Sequence, residues 1–229
     1  QSRWRGPLVG IAAAVAILIA GSIFLLTNDD PPVATPAPNA TLLTREMEFQ
    51  PIDPGAYYAD TDGDPATALR GTFVIEGSGW VAMQTGAGYS VEESDLWLMV
   101  AEIDRVGAPA CGSSPVLKPA GTSAEDLANQ FAAAGFTVQE GVSPVSAFGQ
   151  SGYHLLIEVP PGCSSTANWV WEGPTFGRYY HQGPGQMVEY WFLDVEGTPI
   201  MVEATWMADF TEEELAPLQA AIDTLVITP

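Results

Sequence analysis

The sequence predicts an α+β fold: a mostly antiparallel sheet with two packed helices, preceded by one transmembrane helix. Three observations point there. Residues 8–26, LVGIAAAVAILIAGSIFLL, carry no charge, and an apolar helix of about 20 residues matches a hydrocarbon core of roughly 30 Å. Apolar or alternating stretches of strand length outnumber helical patterns, and their connections mix hairpins with one crossover. Two stretches, starting near Thr122 and Thr211, pair a capping signal with a following apolar stripe.

The apolar run sets the topology. Arg3 and Arg5 stand before it, and Asp29 and Asp30 after it. Basic residues stay on the cytoplasmic side, so the N-terminus is expected inside the cell membrane and residues 28–229 outside. A cleavable signal peptide is the rival reading. Its apolar region normally runs about 7–15 residues and ends in a small-x-small site, whereas this run ends in FLLTND. The expected organisation is a short cytoplasmic N-terminus over 1–7, a membrane helix over 8–27, a Pro-rich linker over 28–56 and an extracytoplasmic domain over 57–229. Because the chain begins at Gln1 and not at Met, further residues are expected upstream.

Charge excludes one class of partner. All 28 acidic residues lie beyond position 28, against Arg45, Arg70, Arg105, Lys118 and Arg178, so the exported part carries −23. Such a surface repels nucleic acid and anionic headgroups. It is not a disordered acidic tail, because 47% of the chain is hydrophobic and seven residues are Trp, enough for one substantial core.

Taken in order, residues 28–56 read as a tether, since Pro31, Pro32, Pro36, Pro38, Pro51 and Pro54 favour extended chain. Asp60, Asp62 and Asp64 alternate around Gly63 and invite a calcium reading, but an EF-hand counted from Asp60 needs Gly and Glu where Pro65 and Gly71 stand. A polar turn is the expectation, and no metal. Thr72–Glu76 and Trp80–Thr85 read as strands, and Leu96–Ile103 as a central strand covered on both faces. Over 122–134, Thr122 and Glu125 form a capping box, Leu127 and Phe131 share a face, and Gly135 ends the helix. Phe136–Gln139 and Tyr153–Val159 are further strands. The hairpin signal is strongest over 187–207, with Glu196-Gly197 as its turn. The last helix starts at Thr211 with Glu214 completing a box and Phe210 placed to staple onto Leu215, although Pro217 interrupts the pattern.

Cys111 and Cys163 are the two cysteines. In an oxidising compartment they read first as one disulfide, which would close a long loop and contribute about 4 kcal/mol in the chain-entropy model. A metal site or a reactive thiol are the alternatives, and neither His154 nor His181 is close in sequence.

The order YYADTDGDPATALRGTF, helix 122–134, EYWFLDVEGTPIMVEATW, an acidic helix and a terminal VITP resembles a family of membrane-anchored actinobacterial proteins, known mainly as uncharacterised or hypothetical. The resemblance covers most of 57–229 and is sharpest over Trp191–Trp206. It implies a bacterial cell-envelope location and brings no catalytic residue. The order of elements is also similar to the Mog1/PsbP-like α/β sandwich, on architecture alone.

Motifs for chemistry are few. GTSAED and GQSGY both fail the G-x-S-x-G pattern at its last position, and H-E-x-x-H, C-x-x-C and the P-loop pattern are absent. His154 opens the apolar stretch HLLIEV and reads as a packed strand histidine. The segment with most recognition chemistry is aromatic: Trp169 and Trp171, then Tyr179, Tyr180 and His181 after a Gly/Pro turn. Rings with polar tips suit a sugar or a partner's apolar anchor, and the Gly and Pro content suggests a loop excursion. The alternative is that the rings cover the sheet. The expected function is a non-catalytic extracytoplasmic interaction or sensing domain without cofactor, whose partner is an envelope protein. A small-ligand or cell-wall glycan module using residues 169–181 is the second reading, and an envelope enzyme with an unrecognised site the third.

Overall fold

The computed structural model describes residues 39–62, 69–89, 96–108, 116–163, 169–174, 177–180 and 183–229. The chain divides at Pro31 and Pro32, and all described residues belong to the second unit. The expected membrane helix over 8–27 lies outside them. Among the described residues, no helix is long and apolar enough to cross a membrane.

Four strands open the domain: β1 (Thr41–Leu42), β2 (Pro51–Ile52), β3 (Gly55–Asp60) and β4 (Arg70–Ile75). Then come β5 (Trp80–Met83), β6 (Gly86–Tyr89), β7 (Leu96–Glu102), β8 (Arg105–Ala108) and β9 (Val116–Pro119). Helix α1 (Ala124–Ala132) precedes β10 (Thr137–Ala147), β11 (Gln150–Glu158), β12 (Trp169–Gly173) and β13 (Gly177–Tyr180). The chain closes with β14 (Gln186–Val195), β15 (Thr198–Met207), α2 (Glu212–Asp223) and β16 (Val226–Thr228).

These strands do not form the single sheet expected for an α+β domain. They form three: a central sheet in the order β10-β11-β14-β15-β7-β6-β5-β2, one of β1-β3-β4-β16, and one of β13-β12-β8-β9. The fold is therefore mostly β with two helices, and the α+β expectation is corrected. The physical reason lies in β7 and β15. Along β7, Met99 and Ala101 enter one buried cluster while Leu96, Leu98 and Val100 enter the other. Both faces of the central sheet must be covered. Helices of 9 and 12 residues reach only about 14 and 18 Å at 1.5 Å per residue. The two small sheets cover the rest, β8, β12 and β13 beside α1 on one face, β3, β4 and β16 beside α2 on the other.

The linker expected up to residue 56 also folds earlier. β1 runs parallel to β3, β2 pairs with β5, and Leu43 and Ile52 are buried. Pro51 is compatible because β2 is an edge strand of the central sheet.

Where sequence signals were local, they hold. β14 and β15 pair from Gln186↔Met207 to Val195↔Thr198. Glu196 and Gly197 both take positive φ, 50° and 87°, as a tight primed hairpin turn requires. Gly88 has a different reason to be glycine: a Cβ there would collide with the ring of Trp97, which lies across it. Helix α1 is capped one residue later than expected, by Ser123, whose Oγ accepts from the Asp126 N–H at 3.1 Å. Helix α2 has the predicted capping box, with Glu214 Oε2 accepting from the Thr211 N–H at 2.7 Å. These bonds hold the Glu214 carboxyl below its usual range, the backbone bond first and the hydroxyl bond second. Replacing Thr211→Ala is expected to cost about 1 kcal/mol, read as a lowered urea midpoint, and an unchanged midpoint would show that the box is dispensable.

Candidate functional site

The aromatic segment is not a loop excursion. Trp169–Gly173 and Gly177–Tyr180 form a β-hairpin, and Trp171 also pairs with Val106 of β8. In extended chain, successive side chains alternate between faces. Val106, Val170 and Trp171 point into the cluster between this small sheet and the central one, with a register irregularity between Trp169 and Trp171. Trp171 is 0% exposed, which corrects its assignment as a ligand-facing ring. Tyr179 stacks on it with centroids 5.0 Å apart and planes at 23°, and is half-buried. Trp169 and Tyr180 are described by strand position, directly opposite one another. His181 and Cys111 lie outside the described residues. Cys163 is buried in the same cluster, and among the described residues no cysteine is free.

What the hairpin covers is a glutamate. The Trp171 indole Nε1–H donates to Glu203 Oε2 at 3.1 Å. Glu203 sits on β15 between Tyr190 of β14 and Met99 of β7, and it is 0% exposed. Among the described residues, its other oxygen, Oε1, has no hydrogen-bond partner, and nor has the hydroxyl of Thr205 two residues on along the same face. Burial pushes the Glu203 carboxyl up to about 8, against hydrogen bonds from Trp171 and Tyr179 that favour the charged form. It is therefore mostly protonated at neutral pH. Burial also raises the Tyr190 phenol well above its ordinary range, followed by the neighbouring Glu203 and Tyr179. Phe131 of α1 closes the cluster, its ring edge-on to Tyr190 at 4.9 Å. A buried acid of this kind can hold or release a proton inside the domain.

Sequence reasoning passed over Glu203 because it alternates with Val202 and Ala204 and so reads as solvent-facing. The signal against that reading was beside it, since Met201 and Met207 share its face. His154 is a strand residue as expected, half-buried on β11 between β10 and β14. Its Nε2 lies 2.8 Å from Glu189 Oε1 and its Nδ1 3.9 Å from Glu140 Oε2. Asp60 ends β3, buried, with Arg70 Nε 3.5 Å from its carboxylate. Asp64 lies outside the described residues, and among them no group of His, Cys, Asp and Glu is placed to hold a metal ion.

The fold and this cluster define a three-sheet, β-rich domain with an acid and its aromatic cover buried between two sheets. No protein-family model matches the chain, and no curated protein sequence matches it. Among solved structures, it is similar to the crystal structure of LpqN involved in cell envelope biogenesis of Mycobacterium tuberculosis. The sequence identity is 11% and the TM-score 0.33, over 80% of this chain and 91% of that one. A likeness at that level transfers no residue and no activity.

Proposed function

We propose that the chain is a non-catalytic interaction or sensing domain on the outer side of a bacterial cell membrane, held by residues 8–27, whose partner presents a basic surface. The observation that supports this is the chemistry the domain turns outward. Asp194 on β14 and Glu212 on α2 are exposed, as are Glu46, Glu76, Glu196 and Asp209 outside the strands and α-helices, while the ring best placed for stacking, Trp171, is spent on the interior. A rigid scaffold with an acidic shell draws cationic surfaces over distances near a Debye length and repels nucleic acid. The glycan reading requires aromatic faces in solvent, and Trp171 offers none. The test has two arms. Protease added to intact cells should digest residues 57–229. The full chain in nanodiscs of neutral lipid should bind polylysine at low salt and release it at high salt. Full protection of the domain in intact cells, or no binding at low salt, overturns the reading.

A further inference from the structure

Among the described residues, the central sheet and the small sheet β13-β12-β8-β9 share no strand ladder. Side-chain packing joins them, with Val106, Val170, Trp171 and Tyr179 in one cluster with Met99, Tyr190 and Met201. Among the described residues, one fully buried carboxyl group lies inside that joint, Glu203, bonded to the roof through Trp171 and with no described partner for its second oxygen. We propose that Glu203 is a proton-operated latch: while it holds its proton the small sheet stays closed on the central sheet, and when it loses the proton the small sheet opens as a unit. This goes beyond the interaction reading and does not rest on it.

The physical case is a difference in cost. A neutral carboxyl under an apolar roof needs little solvation, but a carboxylate with an unsolvated oxygen costs several kcal/mol there. Water must reach it, and it enters where least is broken. Opening the side-chain joint breaks no ladder, whereas reaching Glu203 through the central sheet would part β15 from its ten-residue register with β14 or from β7. Regions with few backbone ties open first. The groups facing Glu203 favour a single proton event. Tyr190 comes from β14 and Tyr179 from β13, both phenols, while β7 presents Met99 and β12 presents Trp171. The roof's own charges, Arg105, Glu172 and Arg178, are registered with one another on the opposite side from Val106 and Trp171. Lys118 is exposed on the edge strand β9, and the acids of α1, Glu125 and Asp126, are exposed too. Burial lifts the carboxyl from 4.5 to about 8, so the drive to open grows with pH between those two values and is complete above about 8.

Hydrogen exchange of the full chain in nanodiscs, followed peptide by peptide and corrected for intrinsic base catalysis, tests this. From about pH 4.5 to about 8, protection over 169–173 and 177–180 should fall by about tenfold per pH unit and then level off, and at each pH it should stay below that of 186–195 and 198–207, whose exchange waits for global unfolding. In Glu203→Gln this pH dependence should vanish. Trp171→Phe removes a donor that favours the charged form, so it should move the levelling-off to higher pH; this variant keeps the test open if Glu203→Gln fails to fold. Equal protection in both sheets across this window, no loss in the small sheet, or a loss that persists in Glu203→Gln would each overturn the latch.

Discussion

Trp171→Ala is expected to destabilise the domain by about 3–5 kcal/mol, the usual cost of emptying a buried Trp site. The ring is fully buried, stacked on Tyr179, and its N–H satisfies one oxygen of Glu203. Truncation therefore removes apolar contact between two sheets and leaves a buried carboxyl short of a donor, and these losses fall on the same site. Trp171→Phe separates them: it keeps most of the ring and deletes only the donor, so about 1–3 kcal/mol is expected. Urea denaturation of the two variants beside wild type measures both. A change within about 0.5 kcal/mol for Trp171→Ala, as for a surface residue, would return this ring to the list of ligand contacts.

Stability should fall as pH rises from about 4.5 to about 8, because Glu203 is raised from 4.5 to about 8 in the folded state. Below 4.5 both states hold the proton. Between the two values the unfolded chain releases it and the folded chain does not, so the unfolded state gains; above about 8 the loss is complete. Integrated, the loss amounts to roughly 5 kcal/mol as an upper bound. Glu203→Gln removes the titration and keeps a side-chain oxygen for the Trp171 N–H. The variant should therefore be more stable than wild type at pH 8, with the advantage shrinking toward pH 5. Glu102, also raised by burial, with nearby acids Asp62 and Asp104 adding to the rise, slopes the same way in both proteins and cancels in the comparison. Urea midpoints across this window decide it, and parallel curves for the two proteins would show that Glu203 is not the cause.

Local signals carried most of the elements and little of their assembly. The β14–β15 hairpin was readable because its turn residues and alternation act within twenty residues. So was the Thr211–Glu214 box, which is a contact between neighbours. Residues 41–56 were not readable as folded chain. Their prolines argue against helix but are compatible with short edge strands, and what recruits them is β3 and β5, elements that lie later in the sequence. The 169–180 segment failed in the same way. Gly and Pro between its aromatics mark a turn, and a turn can join two paired strands as well as it can carry a loop.

Glu203 shows the limit most directly. Sequence by itself determined that it stands on a strand, that Met201 and Thr205 share its face, and that the chain beyond residue 28 is strongly acidic. It could not determine whether that face meets water, since periodicity fixes which side chains share a face and not what lies above it. Only the packing of a hairpin some thirty residues upstream decided that, by laying Trp171 over the carboxyl. The same group that would be an ordinary surface acid in solvent becomes a buried one titrating near 8, because ionisation depends on surroundings that the neighbouring residues in the chain do not supply.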